Sequence, residues 1–211
     1  MLHYTTIYQK GVVMTKKLMS LLTIFALVTA FVSGLNAADV PAKKKKQTPQ
    51  GLYLTPQEAY DMIKANPAKV LFVDVRTPEE LYFVGHAAGI DKNVPLKYVD
   101  YNHVNKKGTG FASAKNKKFM EELDAALKAK GLSKEDPVIF ICRSGDRSAV
   151  AATMAYKNGY KKAYTIVTGT EGDKDKKTGK RTVNGWKNDN LPWNYKFKKD
   201  LFQYANPFIC K

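Results

Sequence analysis

Cysteine is scarce in this chain: two residues, Cys142 and Cys210, in 211. One pair could form a single disulfide in an oxidising compartment, but it is no disulfide scaffold for a domain of this size. Their local sequences differ sharply, which points to separate roles. Acidic residues are also short, 19 Asp and Glu against 35 Lys and Arg, for a formal charge of +16. Such a surface attracts anions, whether small inorganic ions, acidic proteins or lipid head groups. Nucleic acid is not expected, because no binding motif for it accompanies the charge. No internal repeat is visible, so one domain is expected.

No apolar run is long enough for a comfortable membrane span. The longest, Leu18–Val32, follows Met14, Lys16 and Lys17 and runs out through Ser33, Gly34, Ala37 and Ala38. A basic start, an apolar stretch and a small-residue exit describe a secretory signal peptide over 1–37, and hence a periplasmic or otherwise exported protein. The absence of a cysteine after this run argues against a lipoprotein anchor. An uncleaved anchor helix is the alternative, and only then is membrane association expected. The first 13 residues fit neither part and read as coming from an upstream start. Cleavage would remove Lys10, Lys16 and Lys17 with no acid, leaving +13 on roughly 170 residues, enough for one α/β domain.

Residues 38–50 carry four consecutive lysines between prolines and read as a solvated linker. The domain is expected over 51–195, with a tail over 196–211. Thr55-Pro-Gln-Glu58 and Thr77-Pro-Glu-Glu80 each have the form of a capping box with proline at the first helical position. The first opens a helix to about Asn66, the second a short helix that stops near Gly85. Val70–Val75 and Pro137–Cys142 are apolar, β-branched runs, the profile of strands buried on both faces. Short strands are also expected at Asn93–Leu96 and Ala163–Val167. Phe119, Leu123, Ala126 and Leu127 keep helical spacing up to Gly131, and Ala149–Asn158 reads as a helix capped by Gly159. The polar stretch 97–115 is longer than a usual connection and reads as an insertion. Alternating strands and helices imply an open parallel sheet with helices on both faces.

In such a sheet ligands bind at the carboxyl ends of the strands. Cys142 stands at one of these ends, immediately before a helix, and heads the loop Cys142-Arg143-Ser144-Gly145-Asp146-Arg147-Ser148. Gly145 permits a tight path that wraps backbone N–H groups around one point. Amides, helix dipole and two arginines all favour an anion there. That anion could be a thiolate, the reactive form of cysteine, a persulfide or an oxyanion substrate. An inert core cysteine would not need the polar, glycine-containing run that follows.

Val138–Ser148 resembles the active-site segment of the rhodanese family. Asp74-Val-Arg76-Thr-Pro-Glu-Glu80, Gly85-His86-Ala-Ala-Gly89, Gly169-Thr-Glu171-Gly172 and Gly185-Trp186 through Leu191-Pro192-Trp193 resemble its other segments, in order. The resemblance implies a rhodanese fold with the catalytic loop between a strand end and a helix N-terminus. It also implies a sulfurtransferase in which Cys142 takes a sulfane sulfur from an anionic donor, thiosulfate or a persulfide. The Cys142 persulfide then passes the sulfur to a thiol or cyanide-like acceptor. No metal and no cofactor are expected. The alternative is a rhodanese-fold sulfur carrier or a module that docks an acidic partner without turnover. Four residues separate Cys142 from Arg147, whereas cysteine phosphatases use five to enclose a phosphate, which tells against phosphatase activity.

Residues 143–148 are the candidates for binding the donor, with Arg143 and Arg147 supplying charge and Asp146 a salt bridge that fixes the loop. Asp74 and Arg76 are expected to pair or cap beneath the site, and His86 to be a hydrogen-bonded structural residue. Trp186 and Trp193 are expected to pack. Cys210 reads as a free thiol on a tail. The departures from the family pattern, at 90–93, 97–115 and 173–181, leave the acceptor open.

Overall fold

A computed structural model describes residues 38–196 and 198–202. The signal-peptide reading and Cys210 fall outside them. The chain builds strands β1 (Tyr53–Leu54), β2 (Leu71–Asp74), β3 (His86–Ala87), β4 (Lys92–Asn93), β5 (Lys97–Val104), β6 (Phe111–Lys115), β7 (Pro137–Ile141), β8 (Lys162–Ile166) and β9 (Trp193–Asn194). Helices are α1 (Pro56–Ala65), α2 (Pro78–Val84), α3 (Phe119–Ala129) and α4 (Asp146–Lys157).

Five strands form one parallel sheet in the order β1-β8-β7-β2-β4. The run 70–75 is apolar except for Asp74, because both of its faces are covered. Leu71, Val73 and Val75 pack with Val138, Phe140 and Cys142 against α3 and α4, while Phe72, Ile139 and Ile141 pack on the other side with Leu54, Leu81 and Trp186. Cys142 thus continues the alternation of β7 and carries its side chain to the α3–α4 face. Trp186 is fully buried, stacks on Phe72 at 5.4 Å and donates its indole N–H to the Pro192 carbonyl.

Both capping boxes form. Thr55 and Thr77 accept from the backbone N–H groups of Glu58 and Glu80, whose carboxylates bond back to the threonine amides. Each is worth about 1 kcal/mol to its helix. The helices begin earlier than apolar spacing alone suggests. The helix read from Ala149 starts at Asp146, because Gly145 caps it in the left-handed region (φ 96°). Asp146, Arg147 and Ser148 are therefore first-turn helical residues. The strand expected at Asn93–Leu96 is displaced to Lys92–Asn93, where it pairs with Val73 and Asp74.

The stretch read as an insertion, 97–115, is an antiparallel hairpin, β5–β6, with Lys97 opposite Lys115 and Val99 opposite Ser113. Its strands mix polar and apolar residues on both faces, so no alternation stands out. One expectation is corrected outright: the lysine run is not a solvated tether. Lys44–Lys46 forms a 3₁₀ turn against the domain, and the Lys46 side chain is only 7% exposed. Its Nζ donates to the Val167 carbonyl at 2.9 Å, while Lys43 pairs with Asp173 and Lys45 with Asp146. These partners are supplied from far along the chain, so composition alone could not reveal them. The packed region also runs past 195. A 3₁₀ turn at Lys199–Leu201 buries Leu201, and Phe202 bridges to Asn93.

Candidate active site

The turn from β7 into α4 folds the backbone around the Cys142 sulfur. The Gly145 N–H donates to Sγ at 3.2 Å, and the thiol lies 3.5 Å from Ser148 Oγ as donor. Ser148 is itself fixed: its hydroxyl donates to the Gly145 carbonyl at 3.1 Å and accepts from Thr165 Oγ1 at 2.9 Å, all of it buried. Gly145 and Gly169 permit this path. A Cβ on Gly145 would lie 2.1 Å from the Val167 carbonyl oxygen, and one on Gly169 would lie 2.3 Å from the Cys142 carbonyl oxygen. The 169–172 segment closes the loop from behind, its amides at Thr170 and Glu171 donating to the Cys142 and Arg143 carbonyls at 2.7 and 2.9 Å. The closing segment of the sequence pattern is thus the back wall of the loop.

Cys142 is 1% exposed, yet it lines a cavity of about 480 Å³. Cys142 is therefore a buried member of the cavity lining. Arg143, Ser144, Asp146 and Arg147 line the same cavity, with Glu80 and Thr77 from the start of α2. Hairpin residues Lys97, Tyr98, Val99, Phe111, Ala112 and Ser113 complete the wall. Of the loop candidates, Gly145 and Ser148 contact the sulfur, and Ser144 and Asp146 form the rim. Asp146 is held by Lys45 at 2.5 Å.

The two arginines part company. Arg143 is exposed and faces the cavity. Arg147, expected to hold the donor, is instead gripped by Glu80, Nη1 to Oε2 at 2.5 Å and Nη2 to Oε1 at 2.7 Å. The geometry is the bidentate fork that arginine favours. Burial alone would raise the Glu80 carboxyl, but the Arg147 hydrogen bonds and charge, the Thr77 amide and the Arg76 charge together hold it down at about 2. Burial likewise disfavours the charged Arg147, and Glu80 outweighs it, raising the guanidinium further. Glu80, which the sequence reading placed only as a cap, lines the cavity and holds Arg147. Its motif position was legible, but not its second partner.

A test follows from that pair. The folded-state Glu80 value lies below its ordinary 4.5, so its contribution is full above about pH 4.5 and lost as pH falls through about 2. The shift corresponds to about 3 kcal/mol. Urea titrations from pH 6 to pH 2 should show wild type losing this stability, and Glu80→Gln should start lower and fall less. A parallel decline in the two proteins would refute the pairing.

Lys46 supports the loop from below, its stem 3.3 Å from where a Gly145 Cβ would stand. Lys46→Met keeps the stem and leaves the Val167 carbonyl without its donor. A loss of about 1–2 kcal/mol in denaturant stability is expected, and an unchanged midpoint would restore the tether reading.

Asp74 and Arg76 lie beneath the site as a fully buried ion pair at 2.7 Å, with Arg76 also donating to the Gly85 carbonyl. His86 sits on β3, away from the Cys142 cavity, its ring nitrogens near the Ala87 and Lys196 carbonyls. Trp193 is half-buried beside the Arg76 guanidinium. Among the described residues no group of His, Cys, Asp or Glu is placed to hold a metal ion, and no helix is long and apolar enough to cross a membrane.

Comparison with known proteins agrees with this geometry. Residues 55–176, more than half of the chain, match the model of the Rhodanese-like domain. The uncharacterized protein RP600 of Rickettsia prowazekii is 34% identical over 139 residues, 65% of this chain and 93% of that protein. RC0915 of Rickettsia conorii, also uncharacterized, is 35% identical over the same shares. The crystal structure of Rv0390 from M. tuberculosis is 29% identical, covers 68% of this chain and 97% of its own, and superposes with a TM-score of 0.46. With Cys142 at the end of a central parallel strand, inside an amide turn capped by α4, the chain belongs to the rhodanese-like domain family.

Proposed function

We propose that this protein is a sulfurtransferase that carries a sulfane sulfur on Cys142. The observation that supports it is the Gly145 N–H on Sγ at 3.2 Å, in a residue that lines a cavity and precedes the N-terminus of α4. A thiolate or a persulfide anion suits such a cradle, because amides and helix dipole offset its charge without a counter-ion. In the first step the Cys142 thiolate attacks the outer sulfur of thiosulfate. The S–S bond of the donor breaks, sulfite leaves with the bonding pair, and Cys142 becomes a persulfide. In the second, cyanide or a thiolate attacks the outer persulfide sulfur and the Cys142 thiolate is released. No external oxidant or reductant is needed. Arg143 is the exposed loop cation at the cavity for the incoming anion, with Lys97 on the hairpin wall.

The occupied Arg147 also weighs against a phosphatase. Both of its Nη groups are on Glu80, so it is not presented to a bound phosphate. The test is incubation with thiosulfate, followed by intact mass and a thiocyanate assay with cyanide. A gain of one sulfur atom and catalytic thiocyanate formation are expected. An unmodified, inactive protein would favour a binding module instead.

A further inference from the structure

A second cavity, of about 280 Å³, lies between the lysine turn at 43–46 and the 173–181 segment. It shares Ser144 and Asp146 with the Cys142 cavity, yet Cys142 itself is not in its lining. A group bound there sits beside the reacting sulfur and not on it. Lys43 and Lys45 precede residues 55–176, the part that matches the rhodanese-like domain, and Arg181 follows them. The groove is thus an addition to that domain.

Four of the lining side chains are cations and two are acids. Both acids are already paired within the protein: Asp173 accepts from Lys43 at 2.7 Å and Asp146 from Lys45 at 2.5 Å. Arg181 donates to the neutral Gly172 carbonyl and Lys174 is exposed, so neither charge is cancelled by an acid of the lining. The segment that presents them is an ordered turn. Lys174 and Arg181 bridge as antiparallel partners. The Asp175 carboxylate is taken up by the Lys177 and Thr178 amides and the Thr178 hydroxyl at 2.7–3.1 Å. The further lysines of the turn, Lys176, Lys177 and Lys180, are exposed. Fixed cations without an internal acid favour an anion from outside, and they need little rearrangement to bind it.

We infer that this groove docks the sulfur acceptor, an acidic polypeptide segment with a cysteine thiol next to its carboxylates. The inference rests on the sulfur-transfer reading. Cys142 is 1% exposed, so the acceptor has to bring its own nucleophile into the cavity. An acidic polypeptide carries carboxylates for the groove and, a few residues on, a thiol for the persulfide. A lipid head group or a nucleic acid offers the charge without that thiol. In the step, the acceptor thiolate attacks the outer sulfur of the Cys142 persulfide. The bond between that sulfur and Sγ breaks, its electron pair returns to Cys142 as the thiolate, and the acceptor cysteine holds the persulfide. No oxidant or reductant enters.

The experiment loads the protein with thiosulfate and offers it two peptides that differ only in charge, a single cysteine beside a run of glutamates or of glutamines. The gain of one sulfur by each peptide, followed by mass, gives a rate constant, and the ratio of the two is the readout. At an ionic strength of about 0.01 M, Lys174→Glu should lower the glutamate-to-glutamine ratio about tenfold. Near about 1 M the wild-type ratio should fall to that of the variant. Lys157→Glu makes the same change in net charge about 16 Å along α4 from the loop and should leave the ratio unchanged. Intrinsic thiol reactivity cancels between wild type and variant. A ratio unchanged in Lys174→Glu, or lowered equally in Lys157→Glu, overturns the inference and leaves sulfur transfer standing. Binding to phosphatidylglycerol vesicles that Lys174→Glu removes, with the peptide ratio unmoved, also overturns it and assigns the groove to a lipid surface. A wild type that takes no sulfur from thiosulfate overturns the sulfur-transfer reading itself.

Discussion

A Cys142→Ala protein is expected to fold, to gain no sulfur from thiosulfate and to form thiocyanate at least about 10³-fold more slowly than wild type. The two halves of that expectation come from different parts of the structure. The chemistry fails because the persulfide needs a sulfur at the point where the Gly145 amide and the helix terminus converge, and Cys142 is the one cysteine among the described residues. The fold survives because little else depends on the thiol. Ser148 keeps its bonds to Gly145 and Thr165, and the loop keeps the amides of Thr170 and Glu171 behind it. Only the Gly145 N–H loses its acceptor, at about 1–2 kcal/mol. Cys142→Ser is the sharper variant, since its hydroxyl accepts that N–H yet cannot form a persulfide. Intact mass, thiocyanate release and a urea midpoint on all three proteins separate chemical from structural loss. Sulfur uptake by Cys142→Ala would remove this residue from the mechanism.

Replacing Arg76 by Met is expected to be the most damaging change to stability, about 3–5 kcal/mol. Asp74 and Arg76 are both fully buried, and Nε and Nη2 converge on the Asp74 carboxylate at 2.7–3.1 Å. Without the guanidinium a carboxylate stays buried at the end of β2, inside the sheet, with only the residue-76 amide donating to it. Total stabilities of such domains are about 5–15 kcal/mol, so the loss is a large share. The pair as a whole contributes far less, because burying two charges costs nearly what their attraction returns. Asp74→Leu with Arg76→Met is therefore expected to recover most of the loss, and a double-mutant cycle in urea reads it directly. A single variant within about 1 kcal/mol of wild type would contradict this account. The pair matters to the site because Arg76 also holds the end of α2 through the Gly85 carbonyl, and α2 carries Glu80 to Arg147.

The parts of the protein legible in the sequence are those made by short-range rules. Two Thr-Pro-x-Glu boxes start helices because the partners are three residues apart. The 70–75 and 137–142 runs read as strands because covered faces call for apolar side chains, Asp74 being the one charged exception. Cys142 could be placed at a strand end because the apolar run stops there and a glycine-containing turn begins. The packing of the lysine run and the strands within the 97–115 insertion were not legible, for the complementary reason. Lys46 finds its acceptor 121 positions away, and the hairpin is half polar along its length.

The sequence by itself determined that a thiol would stand between a buried strand and a helix N-terminus, within an order of motifs that identifies the family. The fold then settled which of the charges beside that thiol is tied up in an ion pair. Arg143 and Arg147 are equivalent on paper, four residues apart in one loop. Arg147 lies in the first turn of α4, on the side that meets Glu80, 67 residues earlier in the chain, and so becomes a strut. Arg143 precedes the helix and is left exposed at the cavity. A long-range ion pair between two residues that also satisfy local patterns leaves no mark on either pattern. The same holds for the hairpin wall, whose Phe111 meets the cavity only through the packing of β5 and β6 over the loop.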